Sequence, residues 1–393
     1  MTAFEHVRYL AETIGPRGST TSAEAAAAEY AFGELKQLGL RPVIESFRGA
    51  RSAWAPFSLL FGFVIAAGLL FLFAGRLGAI VGLGLSTAAL VSALVEMRFR
   101  PNPLRWLLPT GTSQNVWATV DAEVSAAEQV VLVAHLDTHR TPLVFSTDGW
   151  VRLFGKLVPI GLGCAVLLIV LFALGVGLPW PALRYVSIAP LGVALGILAL
   201  TLQADFTPYT AGANDNASGV GVVLDLAARL AAKPLSHASV WVLLTGCEEV
   251  GCYGADAFLG AHRNELGRAV WIPIDTVGSR DADPVYLIEE RFLATTRSHP
   301  DLIHLADGIS KDHPEWRVNP VLTAGAYTEG AIGTKHGLRV LTLGSRTRSG
   351  AMSEWHRPTD TVGNVSEATI EATESFVWEL LERLDGRARN GRT

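Results

Sequence analysis

The chain is short of charge. Of its 393 residues only 18% are Asp, Glu, Lys or Arg, against roughly 25% in ordinary soluble proteins. The mean hydropathy is positive, at +0.31. That balance excludes an intrinsically disordered chain, which needs low hydrophobicity and high charge. A basic excess is missing too: 32 Lys and Arg against 37 Asp and Glu leave a net charge of −5, so nothing points to nucleic acid. The three cysteines, Cys164, Cys247 and Cys252, are too few and too odd in number for a disulfide framework. The first fifty residues hold no long hydrophobic stretch and predict no signal peptide. The surplus apolar residues must therefore sit in blocks further along.

Four uncharged runs hold them: Phe57 to Gly75, Leu77 to Val95, Leu157 to Trp180 and Tyr185 to Leu202. Each is about as long as the roughly 20 residues a helix needs to cross a bilayer. A short break carrying one arginine splits each pair, at Arg76 and at Arg184 beside Pro179 and Pro181. The pattern predicts two transmembrane helical hairpins, at 57–95 and 157–202, in a multi-pass, four-helix membrane protein in contact with lipid. Four buried helices of a soluble protein are the alternative, but a core helix normally keeps one polar face. Small-xxx-small spacings at Gly78/Gly82 and Gly192/Gly196 predict close helix packing. No charged residue lies inside the runs, which argues against an ion or proton path. Because each insert is a hairpin, the polar segments 1–56, 96–156 and 203–393 are expected on one side of the membrane. Arg48, Arg51, Arg98, Arg100, Arg105, Arg152 and Lys156 flank the runs on that side. Only Arg76 and Arg184 lie at the hairpin tips, so the positive-inside rule predicts a cytoplasmic domain.

The polar remainder suits one α/β domain interrupted twice. Thr21 with Glu24 reads as a capping box opening a helix over 22–38, which Gly39 ends. Strands are predicted at 41–47, 115–120, 130–135, 238–244, 269–274, 284–288 and 339–343. Helices are predicted at 216–232, near 254–266 and at the C-terminal end, where Ile370, Val377, Leu380, Leu381 and Leu384 share a face. Strands alternating with helices indicate a mostly parallel sheet covered on both faces. The first three strands are expected to form an antiparallel meander, with both hairpins leaving from one edge of the sheet.

Acids and histidines recur where these strands end, the place where open α/β sheets put their sites. His135 and Asp137 lie in Ala-His-Leu-Asp-Thr, and Asp215 in Gly-Ala-Asn-Asp-Asn-Ala-Ser-Gly. Glu248 and Glu249 follow one strand, Asp275 follows another, and His356 lies in Trp-His-Arg-Pro-Thr-Asp-Thr before the last helix. Singly, each has an ordinary reading as a structural pair, an N-cap or a solvated face. Together in one cleft they would repel unless a cation neutralised them. Two divalent cations balance Asp215, Glu249, Asp275 and a bridging hydroxide. Histidine and carboxylate donors suit zinc, with cobalt or manganese as alternatives. Cys247 and Cys252 read as small buried residues, and His139 as facing away on an irregular loop.

These ordered motifs resemble those of the co-catalytic dizinc metallopeptidases typified by bacterial leucyl aminopeptidase (peptidase family 28 of the metallo class). That family also contains glutamate carboxypeptidases and glutaminyl cyclases. The similarity covers the polar segments, including Ile14-Gly15-Pro16-Arg17 and the Gly39 turn, and none of the apolar runs. It implies a three-layer α/β/α zinc exopeptidase domain with a mixed, mostly parallel sheet, here interrupted by the two hairpins. It further implies that Asp215 bridges two zinc ions, with His135 and Asp275 completing one site and Glu249 and His356 the other. Asp137 would orient His135. Glu248 would serve as general base in hydrolysing a peptide bond with a water shared by the two ions. Thr328-Glu329 stands where the family commonly has Ser-Asp, and Trp355 is reminiscent of glutaminyl cyclases. Tyr327, Glu329 and Trp355 are therefore the expected substrate-pocket residues. The resulting expectation is a membrane-anchored exopeptidase, foremost an aminopeptidase, acting either on peptides at or released near the membrane or, with the hairpins as a mere anchor, on ordinary peptides. A glutaminyl-cyclase-like or amide-hydrolysing relative and a non-catalytic receptor or scaffold are the competing readings. Side-chain preference and oligomeric state have no signature in the sequence.

Overall fold

Period-two alternation in the strands organises the larger unit. Val116, Ala118 and Val120, Val130, Leu132 and Ala134, Val240, Val242 and Leu244, and Val270, Ile272 and Ile274 all join one buried core. Helices Ala3–Arg8, Tyr9–Ile14, Ser22–Gln37, Gly219–Ala232 and Glu367–Arg389 contribute Val7, Leu10, Ala27, Leu35, Val223, Leu226, Phe376 and Leu380 to it. The intervening residues point to the other face, where Trp117 stacks on Trp241 at 5.0 Å and Phe258 of helix Tyr253–Ala261 packs edge-on. Each fully buried Val, Leu or Phe is worth about 1.5–3 kcal/mol, so two apolar faces require helices on both. The result is a three-layer α/β/α fold.

The computed structural model describes residues 1–393 apart from 101, 179, 293, 294, 390, 392 and 393; Pro179, named above as a turn residue, lies outside the described residues. The chain divides into two compact units, Met1–Arg51 with Thr110–His139 and Tyr209–Thr393, and Ser52–Pro109 with Arg140–Pro208.

Among the described residues of the first unit ten strands form two sheets: β1 (Val43–Ala50), β2 (Thr110–Val120), β3 (Glu128–His135), β4 (Ala238–Thr245), β5 (Val270–Pro273), β6 (Ala282–Arg291), β7 (Thr295–Arg297), β8 (Asn319–Ala324), β9 (Arg339–Val340) and β10 (Leu343–Thr347). The main sheet runs β1-β2-β4-β3-β5-β9. β2 runs antiparallel to both of its neighbours, β1 and β4, whereas β4, β3, β5 and β9 run parallel. The meander is thus corrected: β4 lies between β2 and β3, because its residues are buried on both faces and need a partner on each side. The register still puts the end of β1, the start of β2 and the ends of β3 and β4 at one end of the sheet, through Ala50↔Thr110, Val116↔Leu244 and His135↔Thr245. The strand expected over 339–343 is instead two, β9 in the main sheet and β10 paired with β6 in the second. Helix Pro300–Asp312, with Leu302, Leu305, Ala306 and Ile309 buried, was not anticipated. The Thr21 hydroxyl caps Glu24 as expected, but the Glu24 carboxylate turns to the Thr20 and Cys247 N–H groups.

Among the described residues, the second unit contains four helices long and apolar enough to cross a membrane, Ala55–Ala74, Arg76–Glu96, Asp148–Gly177 and Ala182–Asp205. They extend beyond the uncharged runs because helical hydrogen bonding continues through polar ends; the third opens nine residues early, where Thr147 caps the Trp150 N–H. Residues 96–109 and 140–156 accordingly belong to this unit. Leu60, Val64, Ala67, Phe71, Ala165, Leu168, Phe172 and Ala194 form its buried seam, while Leu69, Phe73, Ile80, Val91, Val166, Val170 and Leu195 are exposed. An apolar exterior of this kind is what lipid-facing helices show. A Cβ on Gly78 would lie 2.0 Å from the Leu70 carbonyl oxygen, and one on Gly82 3.1 Å from Ala67, so that spacing is a packing contact. Gly192 and Gly196 face open space, and the predicted contact there is absent.

Candidate metal centre

Each strand delivers its acid or histidine by simple termination: the ladder ends, the backbone turns, and the next side chain projects from the carboxyl end of the sheet. β3 delivers His135 and the loop to His139, β4 leads to Glu248 and Glu249, and β5 leads to Asp275. Three of the turns use left-handed backbone at non-glycine residues, Cys247 (φ 54), Thr276 (φ 57) and His356 (φ 54). Each sits on or beside a candidate ligand or base, at a cost of about 1–3 kcal/mol.

The loop 212–219 that carries Asp215 is stitched to the end of β5. Asn214 Oδ1 accepts from the Gly278 N–H, and Asn216 Oδ1 from the Thr276 and Gly219 N–H groups, while Asn216 Nδ2 donates to the Ile274 carbonyl. A Cβ on Gly219 would lie 2.1 Å from that carbonyl oxygen, so the close approach requires glycine. Asp360, 1% exposed, accepts from the Asn214 N–H at 2.7 Å and the Asp215 N–H at 3.1 Å. The fully buried Arg17 guanidinium donates to five carbonyls, among them Leu136, Ala211 and Gly212. Asp137 ties the segments together: it accepts from the Ser19 hydroxyl at 2.6 Å, the Glu248 N–H at 3.0 Å and the Glu249 N–H at 3.2 Å.

Side chains from four other chain segments converge around Asp215. Its Oδ1 lies 3.3 Å from His135 Nε2, and its Oδ2 lies 3.4 Å from His356 Nε2. His135 Nε2 is also 3.6 Å from Asp275 Oδ1, and His356 Nε2 is 3.2 Å from Glu249 Oε2. One carboxylate therefore faces two separate histidine–acid pairs. His135 Nδ1 is nearer the Asp137 carbonyl oxygen (3.1 Å) than its carboxylate (3.5 Å); the carboxylate is mainly engaged by the Glu248 and Glu249 backbone.

Electrostatics reflect the crowding. Burial, reinforced by Asp215, raises the Glu249 carboxyl to about 8. Burial, with Glu249, Asp275 and Glu329 nearby, holds Glu248 well above its ordinary value. Burial opposes charge on the histidines, yet Asp137, Asp215 and Asp275 hold His135 well above normal, and Glu249 and Asp215 raise His356 to about 9. Burial also opposes charge on Asp215, but the two histidines hold it below the usual carboxylate range. So many acids in one dry pocket demand cations.

Zinc fits this donor set. A tetrahedral ion with bonds of about 2.0–2.1 Å has ligand atoms roughly 3.4 Å apart, and the separations above run from 3.2 to 3.6 Å. Glu249 Oε1 and Asp275 Oδ1 are buried without a hydrogen-bond partner, as ligand oxygens are before an ion engages them. Donor atoms of His135, Asp215 and Asp275 lie within 4.8 Å of one another, and so do those of His139, Glu249 and His356. His139 thus lies in the cluster rather than facing away, corrected because the loop after β3 folds back over His356.

Around the cluster, the Cys252 thiol donates to Glu248 Oε1 at 3.2 Å, a role beyond that of a small buried residue. Glu329 is buried, accepts from the Thr245 hydroxyl at 2.5 Å and is pushed up to about 7, chiefly by burial. Trp355 lies 4.5 Å from the His356 ring, and Tyr327 packs edge-on against Phe292 at 5.4 Å. Sequence reasoning missed Asp360 and His139. Asp360 stands in the quoted Arg-Pro-Thr-Asp-Thr string, and His139 is four residues past His135; proximity to a recognised motif was the only signal either gave.

Residues 200–381 match the family model of Peptidase family M28. No curated protein matches the sequence. Among solved structures, a Zn-dependent exopeptidase from Parabacteroides distasonis is 14% identical with a TM-score of 0.58, covering 97% of each chain. A zinc aminopeptidase from Bacillus subtilis is 12% identical with a TM-score of 0.58, covering 98% of this chain and 94% of the other. A glutaminyl cyclase from Bacteroides thetaiotaomicron is 14% identical with a TM-score of 0.59, covering 97% and 96%. At these identities the likeness is one of fold.

Proposed function

Because residues 200–381 match the family model of Peptidase family M28, we propose that the chain is a member of that family and a membrane-anchored zinc exopeptidase that removes residues from peptide amino termini. The carrying observation is the Asp215 carboxylate, whose two oxygens face His135 and His356 separately. Two zinc ions suit that arrangement, one with His135 and Asp275, the other with Glu249 and His356, sharing Asp215. When bound, such ions acidify a water and polarise the scissile carbonyl. Glu248, buried beside the cluster, would stand as a carboxylate next to the cations, accept the water's proton and hand it to the leaving amine. Asp137 fixes the Glu248 and Glu249 backbone, and Asp360 fixes that of Asp215. Tyr327, Glu329 and Trp355 are assigned to the substrate pocket.

The four apolar helices support membrane anchoring, and the basic residues flanking them support a cytoplasmic catalytic unit. Only Leu136 to His139 separate His135 from the helical unit along the chain, which favours peptides held at or released near the membrane as substrates. The test is zinc analysis of detergent-purified protein together with mass spectrometry of products from free, amino-blocked and N-terminal glutaminyl peptides. Two zinc ions per chain and release of the first residue from free peptides alone are expected. Pyroglutamate formation without residue release would make it a cyclase, and no turnover with bound zinc would make it a receptor or scaffold. Protease protection in sealed vesicles reads the orientation.

A further inference from the structure

Arg346 lies on β10, where that strand runs past the end of β5 and beside the Asp275 turn. The Asp275 N–H donates to the Leu343 carbonyl at 3.1 Å, and the Ser345 hydroxyl donates to the Thr276 carbonyl. The guanidinium folds back over Gly344. A Cβ on that glycine would lie 3.2 Å from the Asp275 carbonyl oxygen and 3.5 Å from Arg346 Nη1. Only a bare glycine therefore separates the guanidinium from the turn that carries a candidate zinc ligand.

The residue is 8% exposed. Its Nη1 donates to the Ser345 carbonyl and its Nη2 to the Thr323 hydroxyl, each at 2.8 Å. Both acceptors are neutral, and among the described residues no carboxylate stands within ion-pair distance of the guanidinium. Burial pushes Arg346 below its ordinary value, and the charges that oppose this are those of Asp275 and Glu290. Each of those acids is engaged elsewhere. Asp275 faces His135 and belongs to the ion held there. Glu290 accepts from the Thr328 N–H at 2.9 Å, the Thr328 hydroxyl at 3.0 Å and the Thr342 hydroxyl at 3.1 Å. A cation sunk this deep is costly until an anion joins it, and the planar fork of arginine matches a carboxylate.

We propose that Arg346 is a specificity-determining residue, and that the anion it takes is a carboxylate of the peptide substrate. That group is borne by the side chain of the first residue or by the free end of a dipeptide. The proposal names the substrate class within the exopeptidase reading above and rests on it. Arg346 is three residues beyond the Leu343 carbonyl that Asp275 bonds, which suits a carboxylate close to the bond being cut rather than one far along the peptide.

The test compares peptides that differ in one carboxylate. With zinc-loaded, detergent-purified full-length protein, kcat/KM for residue release is measured for Glu-Ala-amide against Gln-Ala-amide, and for Leu-Ala against Leu-Ala-amide. Wild type should favour the carboxylate about tenfold or more in one pair, because the analogue leaves a buried charged donor unpaired. Preference in the first pair marks the side chain as the source, and in the second the chain end. Arg346→Met, similar in length but uncharged, should bring that ratio close to one, and Arg346→Lys should keep part of it. No preference in wild type would overturn the proposal, whatever the variants do, and so would a preference that survives in Arg346→Met. Calorimetric binding of the same four peptides to Glu248→Gln reads the preference without turnover. Binding that favours the carboxylate with no residue release by wild type would keep the Arg346 assignment and sink the exopeptidase reading. Release without the preference would do the reverse, and failure of all four peptides to bind would overturn both.

Discussion

Replacing Glu248 by Gln separates holding metal from moving protons. Gln is nearly isosteric, and its amide oxygen can still accept from the Cys252 thiol that lies 3.2 Å from Glu248 Oε1. The backbone N–H of residue 248 still donates to Asp137 Oδ1, 3.0 Å away. Neither donor cluster includes Glu248, so zinc content should stay at the wild-type level. What disappears is a group able to take a proton, a contribution of roughly 10²–10⁴ in rate, or about 3–5.5 kcal/mol in barrier height. The loss should fall on kcat with little change in KM, because proton transfer is made only in the transition state. The assay is residue release from an unblocked peptide, followed with zinc analysis of the same preparation. Turnover within about threefold of wild type would remove Glu248 from its assigned role. Loss of zinc together with activity would show that it holds the centre instead of acting beside it.

Asp360→Ala strips the acceptor from the Asn214 and Asp215 N–H groups; two buried donors left unpaired at about 1–3 kcal/mol each should lower both Tm and zinc affinity, read by thermal unfolding and chelator titration. His6, buried against Tyr30 at 2.7 Å, has its pKa lowered from 6.5 to about 4, chiefly by burial. Between those pH values the unfolded chain binds a proton that the folded one refuses, so stability falls as pH drops through the window, by up to about 3 kcal/mol; His6→Asn should flatten that part of the Tm profile, and an unchanged slope would contradict the assignment. In the helical unit, Gly78→Val pushes a Cβ into the Leu70 carbonyl oxygen, whereas Gly84 has open space; the first should cost about 1–3 kcal/mol or more and Gly84→Ala should be neutral or stabilising in detergent melts. Chelation should abolish residue release and lower Tm by uncovering crowded carboxylates, and added zinc should restore both.

Much of the candidate site was legible because its residues obey a local rule. His135, Glu248, Glu249 and Asp275 each follow an apolar strand, and Asp215 opens a helix, so chain position alone marked them as neighbours of one sheet edge. His139 and Asp360 obey no such rule, since the direction of an irregular loop is set by what it packs against. The expected meander failed for a related reason: β1 to β3 look alike in hydrophobic pattern, and nothing local says that β4 inserts between β2 and β3. Likewise Gly78 and Gly192 stand in equivalent-looking spacings, yet only the first meets a neighbouring backbone.

Amino-acid order alone determined the hydrophobic and polar division of this chain, its four long apolar helices and the alternation that builds a covered sheet. These follow from helix pitch, strand pleat and the free energy of burying apolar surface, all of which act over a few residues. Tertiary structure decided which acids share a histidine, that Asp215 turns one oxygen to each imidazole, and that His139 lies flat on His356. Those contacts join residues far apart along the chain through strand order and hydrogen-bonded loops, so they exist only once the whole sheet has assembled.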